Sequence, residues 1–134
     1  MTVSGRAASS TNSRTWSTYD QAKASDVGAG LGFVLNGDGV ICIDVDHCLN
    51  HGHPLPWAAS LLAKIPDTYV EISPSGDGLH IWGLADLGFT GRRLKITGGE
   101  LEVYGDLRYL TVTGDAITST RRLGDLTKTV AALG

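Results

Sequence analysis

The chain has 134 residues, of which 42% are hydrophobic and 19% charged, with a formal net charge of -3; this suits one ordinary globular domain with its own core and no second one. The balance excludes a protein that coats nucleic acid by overall charge, so any such contact is expected to be local. No stretch approaches the roughly 18 apolar residues of a membrane helix and residues 1–10 lack a signal-peptide core, so a cytoplasmic location without a membrane partner is expected.

Residues 1–15 are rich in Ser, Thr, Arg and Gly without periodicity and are expected to be mobile, with a single domain over 16–134. Ser17-Thr18-Tyr19-Asp20 caps a short helix over Gln21-Ala22-Lys23-Ala24 that Gly28 to Gly30 should end. Leu31 to Leu35, Asn36-Gly37-Asp38-Gly39 and Val40 to Asp46 give the strongest hairpin signal in the chain. Cys42 and Cys48, with no further cysteine pair, read as reduced thiols, Cys42 buried. Pro56 to Ile65 has proline at a first helical position and apolar residues at helical spacing, which predicts a helix stopping before Pro66.

Tyr69 to Ile72 and Leu79 to Gly83 predict a second hairpin around a glycine turn, and residues 84–99 look irregular. Glu100 to Tyr104 and Arg108 to Thr113 predict a third hairpin around Gly105-Asp106, and Leu123 to Leu133 a closing helix. Eighteen glycines imply many tight turns. The expected class is α+β: a mostly antiparallel sheet built from hairpins, with a few packed helices, as in RRM-like folds.

Alternation along Val40-Ile41-Cys42-Ile43-Asp44-Val45-Asp46 places Asp44 and Asp46 on one strand face, with Cα atoms roughly 6 to 7 Å apart on standard geometry. Two carboxylates so placed beside buried positions repel one another and invite divalent cations. Glu100 and Glu102 share a face of a later strand, and either could add a ligand. Ser73-Pro74-Ser75-Gly76-Asp77-Gly78-Leu79-His80 is a turn in which Ser75, Gly76 and Gly78 could bring a hydroxyl and backbone amides to phosphate oxygens. Asp77 reads as a turn residue. Taken alone, His80 at a strand start reads as a buried histidine satisfied by a backbone carbonyl. Arg108 is either a surface cation or a partner for phosphate.

These residues resemble the primase-polymerase domains of the archaeo-eukaryotic primase superfamily, in particular those encoded by phages and integrated elements. Gly32-Phe33-Val34-Leu35 with Ile43-Asp44-Val45-Asp46-His47-Cys48 is similar to the family's Asp-x-Asp motif, Ser73 to His80 to its serine and histidine motif, and Leu101-Glu102-Val103-Tyr104 with Arg108 to Gly114 to the strand supplying a third acid. Thr15-Trp16-Ser17-Thr18-Tyr19 resembles its entry helix. The resemblance implies an RRM-like primase core and a DNA primase/polymerase, a nucleotidyltransferase using dNTP or NTP on a single-stranded DNA template. It implies two divalent cations, Mg or Mn, on Asp44, Asp46 and Glu102, and a triphosphate held by Ser75, Gly76, Gly78 and His80 with help from Arg108. Asp44, Asp46, Glu102 and His80 are the implied catalytic set.

The resemblance also implies residues before Gly5-Arg6-Ala7-Ala8 and a helical or helicase region after the core, and the expectation is of a minimal domain without them. The alternative expectation is therefore a catalytically reduced nucleotide- or DNA-binding subunit of a phage or plasmid replication assembly, working with a helicase or primase accessory protein. A lesser alternative is a metal-dependent replication nuclease, suggested by His51-Gly52-His53, although that pair lies in a Gly and Pro loop with no tyrosine on the following helix. His47 could touch a metal ligand. Arg6, Arg14, Arg121 and Arg122 are scattered, whereas Arg92, Arg93 and Lys95 cluster and could track template phosphates.

Overall fold

Ile41, Cys42, Ile43 and Val45 are all buried, so the strand that carries them needs a neighbour on each edge and cover on both faces. The structure, a computed structural model that describes residues 2, 4–6, 8–25 and 30–134, supplies both. Its strands are β1 (Leu31–Leu35), β2 (Val40–Val45), β3 (Leu49–Asn50), β4 (His53–Pro54), β5 (Val70–Ile72), β6 (Leu79–Leu84), β7 (Gly91–Ile96), β8 (Gly99–Tyr104), β9 (Arg108–Val112) and β10 (Gly124–Asp125). The helices are α1 (Tyr19–Ala24), α2 (Pro56–Lys64) and α3 (Thr127–Leu133). The fold is mixed α and β with mostly antiparallel pairing, and none of its helices, among the described residues, is long and apolar enough to cross a membrane.

Strand β2 is the centre of a six-stranded sheet, antiparallel to β6 on one side and β8 on the other. The edge beyond β8 is β7. Along β6 the opposite edge is shared by β5, antiparallel, and β10, parallel, which pair with different residues of β6. One face of this sheet presents Ile41, Ile43, Val45, Leu79, Ile81, Leu101 and Val103 to α2 and α3, where Ala58, Leu61, Val130 and Leu133 close the main core. Burying each such aliphatic side chain contributes roughly 1.5–3 kcal/mol, which makes this layer the chief source of stability.

On the other face Cys42 and Trp82 are covered by a separate two-stranded ribbon, β1 antiparallel to β9, through Leu35, Leu110 and Val112. Phe33 meets Trp82 edge-on, with ring centroids 5.8 Å apart. Two residues further along the strands on this same face come Asp44, His80 and Glu102.

The helix over residues 56–65 forms as expected, with Pro56 in its first turn and its end before Pro66. Thr18 and Gln21 make the reciprocal capping box that starts α1. That helix stops at Ala24; Gly28, expected to end it, lies outside the described residues. The closing helix is shorter than 123–133, because Gly124 and Asp125 pair with β6 first. Within the segment expected to be mobile, a 3-10 turn spans Ser13–Thr15, Trp16 Nε1 donates to Ser9 O at 2.7 Å, and Ser10 Oγ donates to Leu107 O at 3.0 Å.

Of the three predicted hairpins only β5 with β6 forms as such. The Asn36 to Gly39 turn does not join β1 to β2 as a pair, because β6 and β8 already occupy both edges of β2. Gly37, at φ +78°, instead turns the chain out of the sheet, its N–H donating to Gly105 O at 3.0 Å. Likewise β9 does not fold back on β8; Leu107, at φ +54°, redirects the chain to β1. Residues 84–99 are irregular only in part: 85–90 form no helix or strand, but Gly91–Ile96 is β7, and it, rather than β9, is the hairpin partner of β8.

Candidate functional site

Strand register sets five side chains in a row across the sheet. Glu71 of β5 opposes His80 of β6, His80 opposes Asp44 of β2, Asp44 opposes Glu102 of β8, and Glu102 opposes Arg93 of β7. Directly opposed residues project to the same face with Cβ atoms roughly 5 Å apart, so residues distant in sequence become nearest neighbours. His80 Nδ1 lies 3.1 Å from Glu71 Oε2, and His80 Nε2 lies 3.6 Å from Asp44 Oδ1. Arg93 reaches Glu102 Oε1 from both Nε, at 3.1 Å, and Nη2, at 2.8 Å.

The Glu71 end of the row is sealed. Glu71 is fully buried and His80 is 3% exposed. The Glu71 carboxylate accepts from the Tyr69 hydroxyl at 3.0 Å, from Thr113 N–H at 3.1 Å and from Gly114 N–H at 3.2 Å, besides His80. Burial pushes its pKa up, but these bonds, His80 first, outweigh burial and hold the carboxyl below the usual glutamate value. Burial, and then the bond to Glu71, push the Tyr69 phenol up to about 12.

Asp44, at the centre, behaves in the opposite sense. Burial raises its pKa; His80 pulls it back, Asp46 and Glu102 push it up further, and Arg108 lowers it, for a net rise. Asp46 is exposed just past the end of β2, where His47 at φ +49° turns the chain. Arg108 stacks its guanidinium 4.0 Å from the centre of the Tyr104 ring, so the ribbon brings a cation to the acids. Among the described residues no three His, Cys, Asp or Glu side chains are gathered closely enough to hold a cation as they stand; Glu102 is turned to Arg93. The donor set nevertheless suits a hard divalent ion: three carboxylates repel one another around Asp44, and a cation would relieve the charge that burial and repulsion penalise.

The glycine turn is held by its own groups. Ser73 N–H donates to Gly78 O at 2.9 Å, Gly76 N–H to Ser73 O at 3.0 Å, and Ser75 Oγ to Asp77 Oδ1 at 2.8 Å. A Cβ on Gly78 would come within 2.7 Å of Val45 O and 2.8 Å of Ser73 Oγ, so glycine is required there for the turn to lie against the end of β2. His47 Nδ1 lies 2.8 Å from Asp77 Oδ2, and Cys48 and Leu49 N–H both donate to Asp77 O, at 2.8 and 2.9 Å. Asp77 is thus more than a turn residue: it clasps the loop after the acid pair, which lowers its own pKa and raises that of His47.

Arg92, Arg93 and Lys95 do not act as one cluster. Arg93 and Lys95 share the acid face, while Arg92 projects to the other side and sits 4.2 Å from the centre of the Phe89 ring. His51 and His53 are exposed at the β3 to β4 hairpin. Sequence reasoning missed Glu71 and the Arg93 partnership with Glu102. The signals were an acid between Val70 and Ile72 in an apolar run, and the alternation Arg93-Leu94-Lys95-Ile96.

No protein-family model matches the chain. It is 44% identical over 119 residues to a DNA Primase-polymerase of Nitratiruptor phage NrS-1, a match that takes in 83% of this chain and 16% of that protein. The chain therefore spans about one sixth of its relative's length. At this identity, over most of the chain, it is a homologue of one segment of a phage DNA primase-polymerase.

Proposed function

We propose that the chain is a catalytic domain for metal-dependent nucleotidyl transfer, of the DNA primase and polymerase kind, built on an RRM-like primase core and working on a single-stranded DNA template. The observation that carries this reading is the register that sets His80, Asp44 and Glu102 side by side on β6, β2 and β8. Its relative's name, DNA Primase-polymerase, supports it.

In this reading Asp44, Asp46 and Glu102 hold Mg or Mn. Bound there, divalent cations neutralise a nucleoside triphosphate and favour ionisation of the attacking 3'-hydroxyl. Glu102 would have to give up the Arg93 guanidinium it now pairs with to serve as a ligand. Ser75, Gly76, Gly78 and His80 face the triphosphate of a dNTP or NTP; Ser75 must turn from Asp77 to do so. Arg108, already stacked on Tyr104, adds charge to the same face. Base choice falls to pairing with the template.

The test is extension of a primer on single-stranded template by the wild type beside Asp44→Ala and Asp46→Ala, each checked for fold by circular dichroism. Both variants are expected to lose synthesis while staying folded. Full activity in either overturns the metal assignment. A second reading, a catalytically reduced nucleotide- or DNA-binding subunit of a replication assembly with a helicase or accessory partner, is favoured by the occupied state of Glu102 and Ser75; it predicts template binding without extension by the wild type.

A further inference from the structure

The buried carboxylate of Glu71 has no part in the chemistry above, yet it makes the closest contact to His80. We propose that Glu71 is a positioning residue: it fixes His80 with the proton on Nδ1 and presents Nε2 to the Asp44 side of the site. This rests on the reading of His80 as a triphosphate contact.

Glu71 is fully buried and accepts from four donors, Tyr69 Oη, Thr113 N, Gly114 N and His80 Nδ1. An ionised carboxylate only accepts, so the imidazole nitrogen facing it at 3.1 Å must carry hydrogen. The other nitrogen is thereby committed to the side where Asp44 Oδ1 lies at 3.6 Å. The ring cannot simply turn over. Trp82 stands nearly perpendicular to it at 6.0 Å between centroids, and the histidine is 3% exposed. A carboxylate behind a histidine sets tautomer and ring orientation in the same way where histidines bind metals.

Glu71 also ties Thr113 and Gly114, just past β9, to the sheet, so a purely structural role has to be separated from positioning. Glu71→Gln does this. It keeps the size of the side chain and removes the charge behind the ring: Oε2 accepts from both His80 Nδ1 and Thr113 N–H, so an amide oxygen turned there still accepts from the imidazole but holds it less tightly than a carboxylate does.

The first measurement is nitrogen-15 NMR of the His80 ring in the wild type. Nδ1 is expected to be protonated. An unprotonated Nδ1 overturns the proposal even if no variant folds. The second is calorimetric binding of a deoxynucleoside triphosphate with Mn to the wild type, Glu71→Gln, His80→Ala and the double variant. Glu71→Gln should weaken binding roughly 10-fold or more, and that loss should vanish in the His80→Ala background, because the two residues act through one atom. A loss that persists there means Glu71 acts only through the fold, which overturns the proposal. Absence of nucleotide binding by the wild type instead defeats the nucleotide-site reading, while the tautomer result still decides whether Glu71 sets the ring.

Discussion

The two ends of the charged row are built on opposite principles. At one end Glu71 and His80 are buried and cross-linked to backbone amides and a tyrosine. At the other, Glu102 and Arg93 have side chains 16% and 69% exposed and hold one another through a single carboxylate oxygen. A buried carboxylate held by several donors is fixed, because removing a donor leaves its charge less compensated out of water. An exposed one exchanges readily with ions and water. Asp44, between them, faces His80 Nε2 at 3.6 Å and carries the repulsion of both Asp46 and Glu102. The row is thus fixed at the histidine end and exchangeable at the Glu102 end.

Breaking the sealed end should have the largest effect on stability. Glu71→Ala strands His80, Tyr69 and two backbone N–H donors, and is expected to destabilise the domain by about 3–5 kcal/mol in urea unfolding; a loss under 1 kcal/mol would show that the sealed end is not fixed. Acid should reproduce part of this. The folded pKa of Glu71 lies below its unfolded value, so its contribution is complete above the ordinary glutamate range and is lost as pH falls through the lower folded value. The slope of unfolding free energy against pH in that acid window should flatten in folded Glu71→Gln.

Tyr69→Phe removes one of the four donors and should cost about 1 kcal/mol, read from the same unfolding curves. Asp44→Asn has the reverse sign. Because the folded pKa of Asp44 is raised, its ionisation opposes folding as pH rises through the unfolded and then the folded value, and the variant should melt at or above the wild-type temperature at neutral pH. The smallest effect belongs to the open end: Arg93→Ala should leave the melting temperature unchanged and tighten binding of Mn alone, since Glu102 is already released. Weaker Mn binding in that variant would contradict the exchange.

Much of this was legible in short segments. Period-2 alternation placed Asp44 on a buried strand, helical spacing with Pro56 marked α2, and Ser73 to Gly78 marked the turn of the one expected hairpin that forms. What was not legible is pairing between distant strands. The turn residues from Asn36 to Gly39 look like a local hairpin, but β2 has only two edges, and β6 and β8 fill them with better-buried neighbours. The same competition sent β9 to β1 and left β8 to β7. Glu71 could not be ranked from sequence because its meaning depends on β6 bringing His80 beside it and on the chain just past β9 bringing Thr113.

The most direct test of the central account is calorimetric titration of a deoxynucleoside triphosphate into the wild-type protein with Mn present, beside Asp44→Ala. Binding by the wild type that vanishes in a folded Asp44→Ala variant is the predicted result. Equal binding by both proteins, or none by a folded wild type, would contradict a metal and nucleotide site centred on Asp44.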